Sequence, residues 1–127
     1  MAPPPPKRVV LIVEDQPDTR RSLGKLLRAY GFPAAEAADG QQALDYLHSH
    51  PPPCLILLDL AMPVMDGWEF RRRQRQDPDL AAVPTVVCSA YSVDGTGALA
   101  GVARIYRKPV DPDELLETVR LYCCPAV

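Results

Sequence analysis

Four short apolar runs of this 127-residue chain are each followed by side chains suited to phosphate or metal chemistry. The residues in those positions are Glu14 and Asp15, Asp59, Ser89 and Lys108. Apolar runs that alternate with longer amphipathic segments are typical of a buried parallel sheet. Ligands bind beyond the carboxyl ends of the strands in such sheets. We therefore expect three carboxylates, a hydroxyl and an ammonium group to meet at one edge of the sheet.

The three carboxylates predict a site for a divalent cation. Carboxylates within a few ångströms repel one another at low effective dielectric, so they stay ionised only beside a compensating charge. One or two carboxylates, a backbone carbonyl and several waters suit Mg²⁺ better than a Ca²⁺ cage, and leave positions for phosphate oxygens. Asp59 would then attack phosphorus to form an acyl phosphate. Lys108 would neutralise charge on the phosphoryl group, and Ser89 would donate a hydrogen bond to it.

Hydrophobic periodicity and helix caps indicate the elements that must position these residues. An amphipathic helix follows Pro17, with leucines at helical spacing. Further helices are predicted to begin near Asp39, at Asp66 and at Asp111, because each of these aspartates can cap a helix. The five predicted strands are Arg8–Val13, Ala34–Ala38, Leu55–Asp59, Thr85–Ser89 and Arg104–Arg107.

Length and composition indicate one domain, residues 7–124, preceded by a proline-rich tail at residues 1–6. Apolar residues make up 47 % of the chain, but no apolar run approaches the roughly 18 residues that a membrane span needs. No secretion signal follows Met1. We therefore expect a cytoplasmic protein without membrane contact. The net charge of −2 provides no concentrated basic surface, so direct binding of nucleic acid is not expected.

The four cysteines lack the spacing of a metal site. Cys54, Cys88, Cys123 and Cys124 form no C-x-x-C pair and have no histidine at ligand spacing. Free cysteine is among the most buried residue types. We therefore expect reduced, mostly buried thiols rather than bound zinc.

Five short motifs resemble the signature set of response-regulator receiver domains, in the same order along the chain. They are Glu14-Asp15, Asp59-Leu60-Ala61-Met62-Pro63, Met65-Asp66-Gly67, Ser89-Ala90 and Lys108-Pro109. The match covers nearly everything from Lys7 to Cys124, and the set is far more specific than any one motif. The resemblance implies an α/β, flavodoxin-like, doubly wound five-stranded parallel sheet with strand order 2-1-3-4-5. About five helices would flank this sheet.

The resemblance also implies a function in a two-component phosphorelay. A sensor histidine kinase or a histidine phosphotransfer protein would phosphorylate Asp59, with Ser89 and Lys108 assisting the transfer. A downstream effector protein or domain would respond to the phosphorylated state. The chain would be a signalling domain that catalyses only its own phosphorylation and dephosphorylation, and formation of a homodimer stays open.

The metal ligands implied by the resemblance are Asp15, Asp59 and the backbone carbonyl of Ala61. Glu14 would act partly through water, and the bound ion would be Mg²⁺. The resemblance further implies a cis peptide bond between Lys108 and the following proline, the residue type to which cis peptide bonds are essentially confined.

Three features depart from the receiver pattern. Ile105 stands where the family usually has an aromatic residue, and strand alternation predicts that Tyr106 faces the opposite side. Gly95 and Gly97 fall in the fourth helical segment, where each costs about 1 kcal/mol; we expect that helix to be shortened or partly unwound. The Arg71–Arg75 run replaces apolar positions of the third helix and is expected to form a solvated face.

Two other functions fit parts of the pattern. A receiver-like scaffold that works without phosphorylation would keep the fold, but the complete set of acids, hydroxyl and lysine argues against it. A phosphatase or phosphotransferase with an aspartyl intermediate needs a general acid two residues after the nucleophile, where Ala61 cannot act. We therefore favour a phosphorylatable receiver, either stand-alone or part of a larger protein.

Overall fold

The structure, a computed structural model, describes residues 9–123 and contains a five-stranded sheet. Its strands are β1 (Val10–Val13), β2 (Ala34–Ala37), β3 (Leu55–Asp59), β4 (Thr85–Ser89) and β5 (Arg104–Arg107). All neighbouring strands are parallel, in the order β2-β1-β3-β4-β5. This order confirms the predicted doubly wound topology.

Within the described residues four helices pack on the sheet: α1 (Pro17–Ala29), α2 (Gly40–Ser49), α3 (Gly67–Gln76) and α4 (Pro112–Cys123). Three of them begin at predicted caps. The Asp39 carboxylate accepts the Gln42 amide at 2.8 Å, the Asp66 carboxylate accepts the Glu69 amide at 2.9 Å, and the Asp111 carboxylate accepts the Asp113 amide at 2.8 Å. A capping carboxylate satisfies a free amide and opposes the helix dipole. No helix within residues 9–123 is long and apolar enough to cross a membrane.

The strands β1, β3 and β4 form the centre of the sheet and are buried along their whole length. The side chains of β1 and β3 alternate between two hydrophobic clusters, one under α1 and α4 and the other under α2 and α3. In β4, Val86 and Cys88 belong to the cluster under α1 and α4, whereas Val87 belongs to a third, smaller cluster. A parallel sheet covered on both faces requires such continuous apolar strands. Burial of each large aliphatic side chain contributes roughly 2 kcal/mol. The packed centre therefore fixes the position of the residues that follow β1 and β3.

The connection between β4 and β5, residues 90–103, lacks the predicted fourth of five helices. It contains one 3-10 turn, Gly97–Leu99. Gly97 and Gly101 have φ values of 58° and 81°, in the left-handed region that glycine tolerates and that interrupts a right-handed helix. The prediction that this helix is shortened or partly unwound is confirmed, since only the 3-10 turn stands in its place. Residues 90–103 are called the β4–β5 connection below.

The two central side chains of β5 face opposite sides of the sheet, as strand alternation predicts. Ile105 packs against a small cluster that includes Leu99 of the β4–β5 connection. Tyr106 belongs to the cluster under α4, and its hydroxyl lies 2.6 Å from the Thr118 hydroxyl. An aliphatic contact therefore occupies the position where the family usually has an aromatic side chain.

The prediction that the polar residues of α3 form a solvated face is wrong for Arg71 and Gln74. Arg71 is 4 % exposed and Gln74 is 0 % exposed. Arg71 donates hydrogen bonds to Gln74 Oε1 at 2.9 Å and to the Ala100 carbonyl at 3.2 Å. Arg71 thus reaches the irregular β4–β5 connection, whereas the Gln74 amide donates to the carbonyls of Leu80 at 3.2 Å and Val83 at 3.1 Å. Both side chains are buried because their polar ends find backbone partners there.

The prediction that the cysteines are reduced is wrong for Cys54 and Cys123, which form a disulfide. It joins Cys54, just before β3, to Cys123 at the end of α4, with the two Cα atoms 5.3 Å apart. The two residues are 69 positions apart in sequence, and only the return of α4 along the sheet brings them within disulfide distance. Cys88 is free and buried, as predicted. Cys124 and the proline-rich tail lie outside the described residues.

Candidate functional site

Three carboxylates meet at the carboxyl edge of the sheet, where β1 and β3 end side by side. The strand register pairs Val13 with Leu58, so the residues that follow, Glu14 and Asp59, are neighbours. Asp15 joins them, and each of the three offers an oxygen within 4.8 Å of the others. Glu14 and Asp59 are only 2 % and 7 % exposed, and Asp15 is half-buried. These three residues are called the acidic cluster below.

Lys108 brings a positive charge to two members of the acidic cluster. Its Nζ lies 2.6 Å from Glu14 Oε1 and 3.3 Å from Asp59 Oδ1. The peptide bond between Lys108 and Pro109 is cis, as the family resemblance implied. Burial alone would lower the pKa of Lys108, but its hydrogen bond to Glu14 and the charge of Asp59 outweigh burial and raise that pKa. The lysine is therefore a fixed cation at neutral pH.

Ser89 ends β4 and is buried at the same edge of the sheet. Its Oγ accepts the backbone amide of Tyr91 at 3.0 Å, and its carbonyl oxygen accepts the amide of Lys108 at 2.8 Å. A hydroxyl that accepts one hydrogen bond still has a proton to donate. Ser89 thus connects the site to the first residues of the β4–β5 connection.

The loop after β3 needs a glycine to pass the site. A Cβ on Gly67 would collide with the carbonyl oxygen of Asp59 and lie 2.8 Å from Leu60 Cα. The Gly67 amide donates to the Leu60 carbonyl at 2.9 Å and closes the loop. Ala61 lies on the exposed part of this loop. The glycine of the Met65-Asp66-Gly67 motif is therefore required by packing next to Asp59.

Comparison with known proteins identifies the family. A family model described as "Response regulator receiver domain" matches residues 10–120. The chain belongs to the response-regulator receiver family. It is 36 % identical over 115 residues to Response regulator Rre1 of Synechocystis sp., covering 87 % of this chain and 49 % of that protein. It is 38 % identical over 117 residues to a 14.6 kDa protein in the sodA1 3′ region of Leptolyngbya boryana, covering 90 % of this chain and 88 % of that protein. The chain thus spans about half the length of Rre1.

Solved receiver structures share the fold of this receiver domain. The receiver domain of the sensor histidine kinase PA1611 from Pseudomonas aeruginosa has a TM-score of 0.82 and 26 % identity, covering 94 % of this chain and 99 % of that chain. That structure holds a magnesium ion in its active-site cleft. A response regulator receiver protein from Pseudomonas putida has a TM-score of 0.82 and 31 % identity, covering 91 % and 98 % of the two chains.

The acidic cluster of this receiver domain fits a hard divalent cation. Three carboxylates face the single ammonium group of Lys108, which leaves negative charge in excess. Glu14 Oε2 is buried and has no hydrogen-bond partner within the described part of the chain. Carboxylate oxygens are the ligands that Mg²⁺ takes in proteins. The residues present are therefore suited to Mg²⁺.

One residue of the site was missed by sequence analysis. Arg20, in the first turns of α1, donates from Nη1 to the Glu14 carbonyl at 2.9 Å. Arg20 precedes Leu23 by three positions and Leu27 by seven, so helical periodicity places it on the side of α1 that faces the sheet. The predicted residues are distributed as follows: Glu14, Asp15, Asp59 and Lys108 form one cluster, Ser89 ends the neighbouring strand, and Ala61 lies on the loop after β3.

A cavity of about 650 Å³ opens beside the acidic cluster, between α1 and the chain that follows β5. Asp59 and Lys108 line it together with apolar side chains such as Leu23 and Val110. Cys88 also lines the cavity, and burial raises the pKa of its thiol to about 12, so this thiol stays protonated and unreactive at neutral pH. The cavity gives access to Asp59 from the side of α1.

Proposed function

We propose that this receiver domain accepts a phosphoryl group on Asp59 in a Mg²⁺-dependent reaction, as part of a two-component phosphorelay. The observation that carries the proposal is the contact of Asp59 Oδ1 with Lys108 Nζ at 3.3 Å inside a cluster of three carboxylates. Aspartyl phosphorylation needs a nucleophilic carboxylate, a fixed cation beside it and further acids that can hold a metal ion.

In this proposal Asp59 attacks the phosphorus atom of a phosphohistidine through one carboxylate oxygen. The new O–P bond forms while the P–N bond breaks, and the imidazole leaves with the bonding electron pair. Lys108 balances the charge on the phosphoryl oxygens, and the Ser89 hydroxyl donates a hydrogen bond to one of them. Attack of water on phosphorus later regenerates Asp59 and releases inorganic phosphate. The domain thus catalyses its own phosphorylation and dephosphorylation and acts on no separate substrate.

The proposed Mg²⁺ ligands are Asp15, Asp59 and the backbone carbonyl of Ala61, with Glu14 acting partly through water. When bound, the ion neutralises and orients the oxygens of the transferring group. The excess of carboxylates over ammonium groups and the unpartnered Glu14 Oε2 support this assignment.

The proposed phosphoryl donor is a sensor histidine kinase or a histidine phosphotransfer protein. The cavity beside Asp59 supports a protein donor, because an imidazole must reach phosphorus from outside and the apolar wall can pack against a partner. A downstream effector protein or domain would then bind the phosphorylated form. A cytoplasmic location and the lack of direct contact with nucleic acid or membrane remain predictions, and formation of a homodimer stays open.

Phosphorylation by a small donor tests the proposal without a kinase. After treatment with acetyl phosphate and Mg²⁺, intact-mass spectrometry should show the gain of one phosphoryl group that is labile to both acid and base. Asp59→Asn should abolish the gain, whereas Asp45→Asn, which changes an exposed carboxylate of α2, should retain it. A gain that persists in Asp59→Asn would assign the phosphoryl group to another residue. No gain in the unchanged protein would favour the scaffold that works without phosphorylation.

A further inference from the structure

We propose that Arg20 is a positioning residue for the Mg²⁺ site. By binding the backbone carbonyls of Glu14 and Asp15 while paired with Glu36 of β2, it sets the direction of the Asp15 carboxylate. This inference rests on the proposed function, because it requires that the acidic cluster takes up Mg²⁺.

Arg20 contacts both peptide units that flank Asp15. Its Nη1 donates to the Glu14 carbonyl at 2.9 Å and lies 3.4 Å from the Asp15 carbonyl. Its Nε lies 3.4 Å from Glu36 Oε1, and the two side chains are only 16 % and 28 % exposed. A guanidinium group can make all three contacts because its donors form a rigid planar fork.

Glu36 is itself held in place on the edge strand. Arg28 Nη2 lies 3.2 Å from Glu36 Oε2 and donates to the Ala34 carbonyl at 3.0 Å. These side chains cross α1 at Gly24, where an added Cβ would lie 2.8 Å from Arg28 Nη1 and 3.2 Å from Glu36 Oε2. The absence of a side chain at this position therefore lets the two arginines share one glutamate.

Asp15 is the member of the acidic cluster that depends most on its backbone. Glu14 and Asp59 are held by Lys108, whereas within residues 9–123 the Asp15 carboxylate makes no hydrogen bond or ion pair. Its direction then follows from the two adjacent peptide planes, whose oxygens Arg20 binds. Groups that orient metal ligands from behind commonly change metal affinity by about 10- to 100-fold.

The charge of Arg20 and its proposed positioning role predict opposite changes in Mg²⁺ affinity when Arg20 is replaced. A positive charge near a cation site opposes cation binding. If charge were the only effect of Arg20, its replacement by a neutral residue would tighten Mg²⁺ binding. If Arg20 positions Asp15, the same replacement weakens Mg²⁺ binding.

The experiment is a calorimetric titration of the metal-free, unphosphorylated full chain with MgCl₂. Arg20→Gln should weaken binding about tenfold, while Arg21→Gln, which removes the same charge from the exposed neighbouring position, should not weaken it. Arg20→Lys should recover part of the affinity, because an ammonium group can bind one carbonyl but cannot span both carbonyls and Glu36. Glu36→Gln should weaken binding to a smaller extent.

Equal affinities of Arg20→Gln and Arg21→Gln, or tighter binding by Arg20→Gln, would overturn the positioning role. Thermal unfolding of each metal-free variant verifies the fold. If Arg20→Gln does not fold, Glu36→Gln is compared with Asp45→Asn, which also removes one negative charge, and equal affinities of these two overturn the inference. A wild-type protein that binds no Mg²⁺ refutes the metal site itself and this inference with it, whereas binding that Asp15→Asn abolishes establishes the site.

Discussion

The acidic cluster and the β4–β5 connection are joined through Ser89 but are built in opposite ways. The acidic cluster follows strands that are buried along their whole length, and Lys108 binds it internally. The connection contains one 3-10 turn, and two side chains of α3 hold its backbone. Arg71 donates to the Ala100 carbonyl at 3.2 Å and Arg75 to the Gly97 carbonyl at 2.9 Å. The residues proposed for phosphoryl chemistry thus follow packed strands, whereas the adjacent connection depends on a few polar contacts and on one small apolar cluster around Leu99.

The buried contacts of Arg71 stabilise the β4–β5 connection only weakly. No carboxylate pairs with Arg71 in the described part of the chain, and its buried Nε has no hydrogen-bond partner. Burial lowers the pKa of the Arg71 guanidinium, and the charge of Arg75 lowers it further. Each hydrogen bond to a backbone carbonyl contributes only about 1 kcal/mol net. We therefore expect the connection to open at much lower free energy than β3.

Hydrogen exchange should show the largest difference between the two regions. Amides of Tyr91–Gly101 should exchange with opening free energies several kcal/mol below those of β3, because few of them are held by regular structure. A phosphoryl mimic such as beryllofluoride with Mg²⁺ should slow their exchange as the Ser89 hydroxyl turns toward the mimic. Mass spectrometry of peptides from the free and activated forms measures both effects.

Two results would break this comparison. The β4–β5 connection could be as protected as the Leu115–Tyr122 part of α4 before activation, which would mean that the arginine contacts hold it firmly. Alternatively, its exchange could be unaffected by the mimic. In either case phosphorylation would have to change a different surface of the domain, and α3 is the next candidate for that surface.

Substitution of Arg71 tests the contribution of the polar contacts to stability. Arg71→Ala should lower the free energy of unfolding by about 3 kcal/mol, because it removes buried packing, the donor to the Ala100 carbonyl and one of the two donors to Gln74 Oε1. Arg71→Met should cost about 1 kcal/mol, since it fills the space without burying a charge. Arg73→Ala, at a side chain that is 52 % exposed, should change stability by less than about 0.5 kcal/mol. Equal losses for Arg71→Ala and Arg73→Ala in urea unfolding would show that the buried contacts contribute little.

The same contrast explains how much could be predicted from the sequence. The sheet order, the caps at Asp39 and Asp66 and the position of Asp59 follow from local signals, because apolar runs and capping residues act within a few positions of themselves. The gathering of Glu14, Asp59 and Lys108 follows from strand ends that share one edge. These features depend on the part of the molecule where local preference and global packing agree.

Two of the features that sequence analysis missed depend on contacts between segments that are distant in sequence. The burial of Arg71 requires that the β4–β5 connection be irregular, which changes what covers α3. The disulfide requires that α4 return to the start of β3 and bring Cys123 to Cys54. No local spacing encodes these two contacts. The contacts of Arg20 span only five and six positions, but they depend on the turn between β1 and α1, and helical spacing indicates only which side of α1 carries Arg20.

The glycines of the β4–β5 connection provide the smallest and most local test of the comparison. A Cβ on Gly95 would have Ile105 Cδ1 as its nearest neighbour, at 4.0 Å, so Gly95→Ala should stabilise the protein by about 0.4–1 kcal/mol by restricting the unfolded chain. Gly101 has a φ of 81°, and its Cβ would lie 3.3 Å from Arg71 Nη2. Gly101→Ala should therefore destabilise the protein by about 1–2 kcal/mol through backbone strain and crowding of Arg71.

Gly97→Ala separates the two causes, because Gly97 has a φ of 58° but no atom within 4 Å of an added Cβ. Its loss in urea unfolding should reflect backbone strain alone, and the excess loss in Gly101→Ala should reflect crowding of Arg71. That excess should disappear when Arg71→Met is present in both proteins, since the shorter apolar side chain no longer places a guanidinium against residue 101. An excess that persists would show that Arg71 does not restrict residue 101, and would leave backbone conformation as the sole requirement for glycine there.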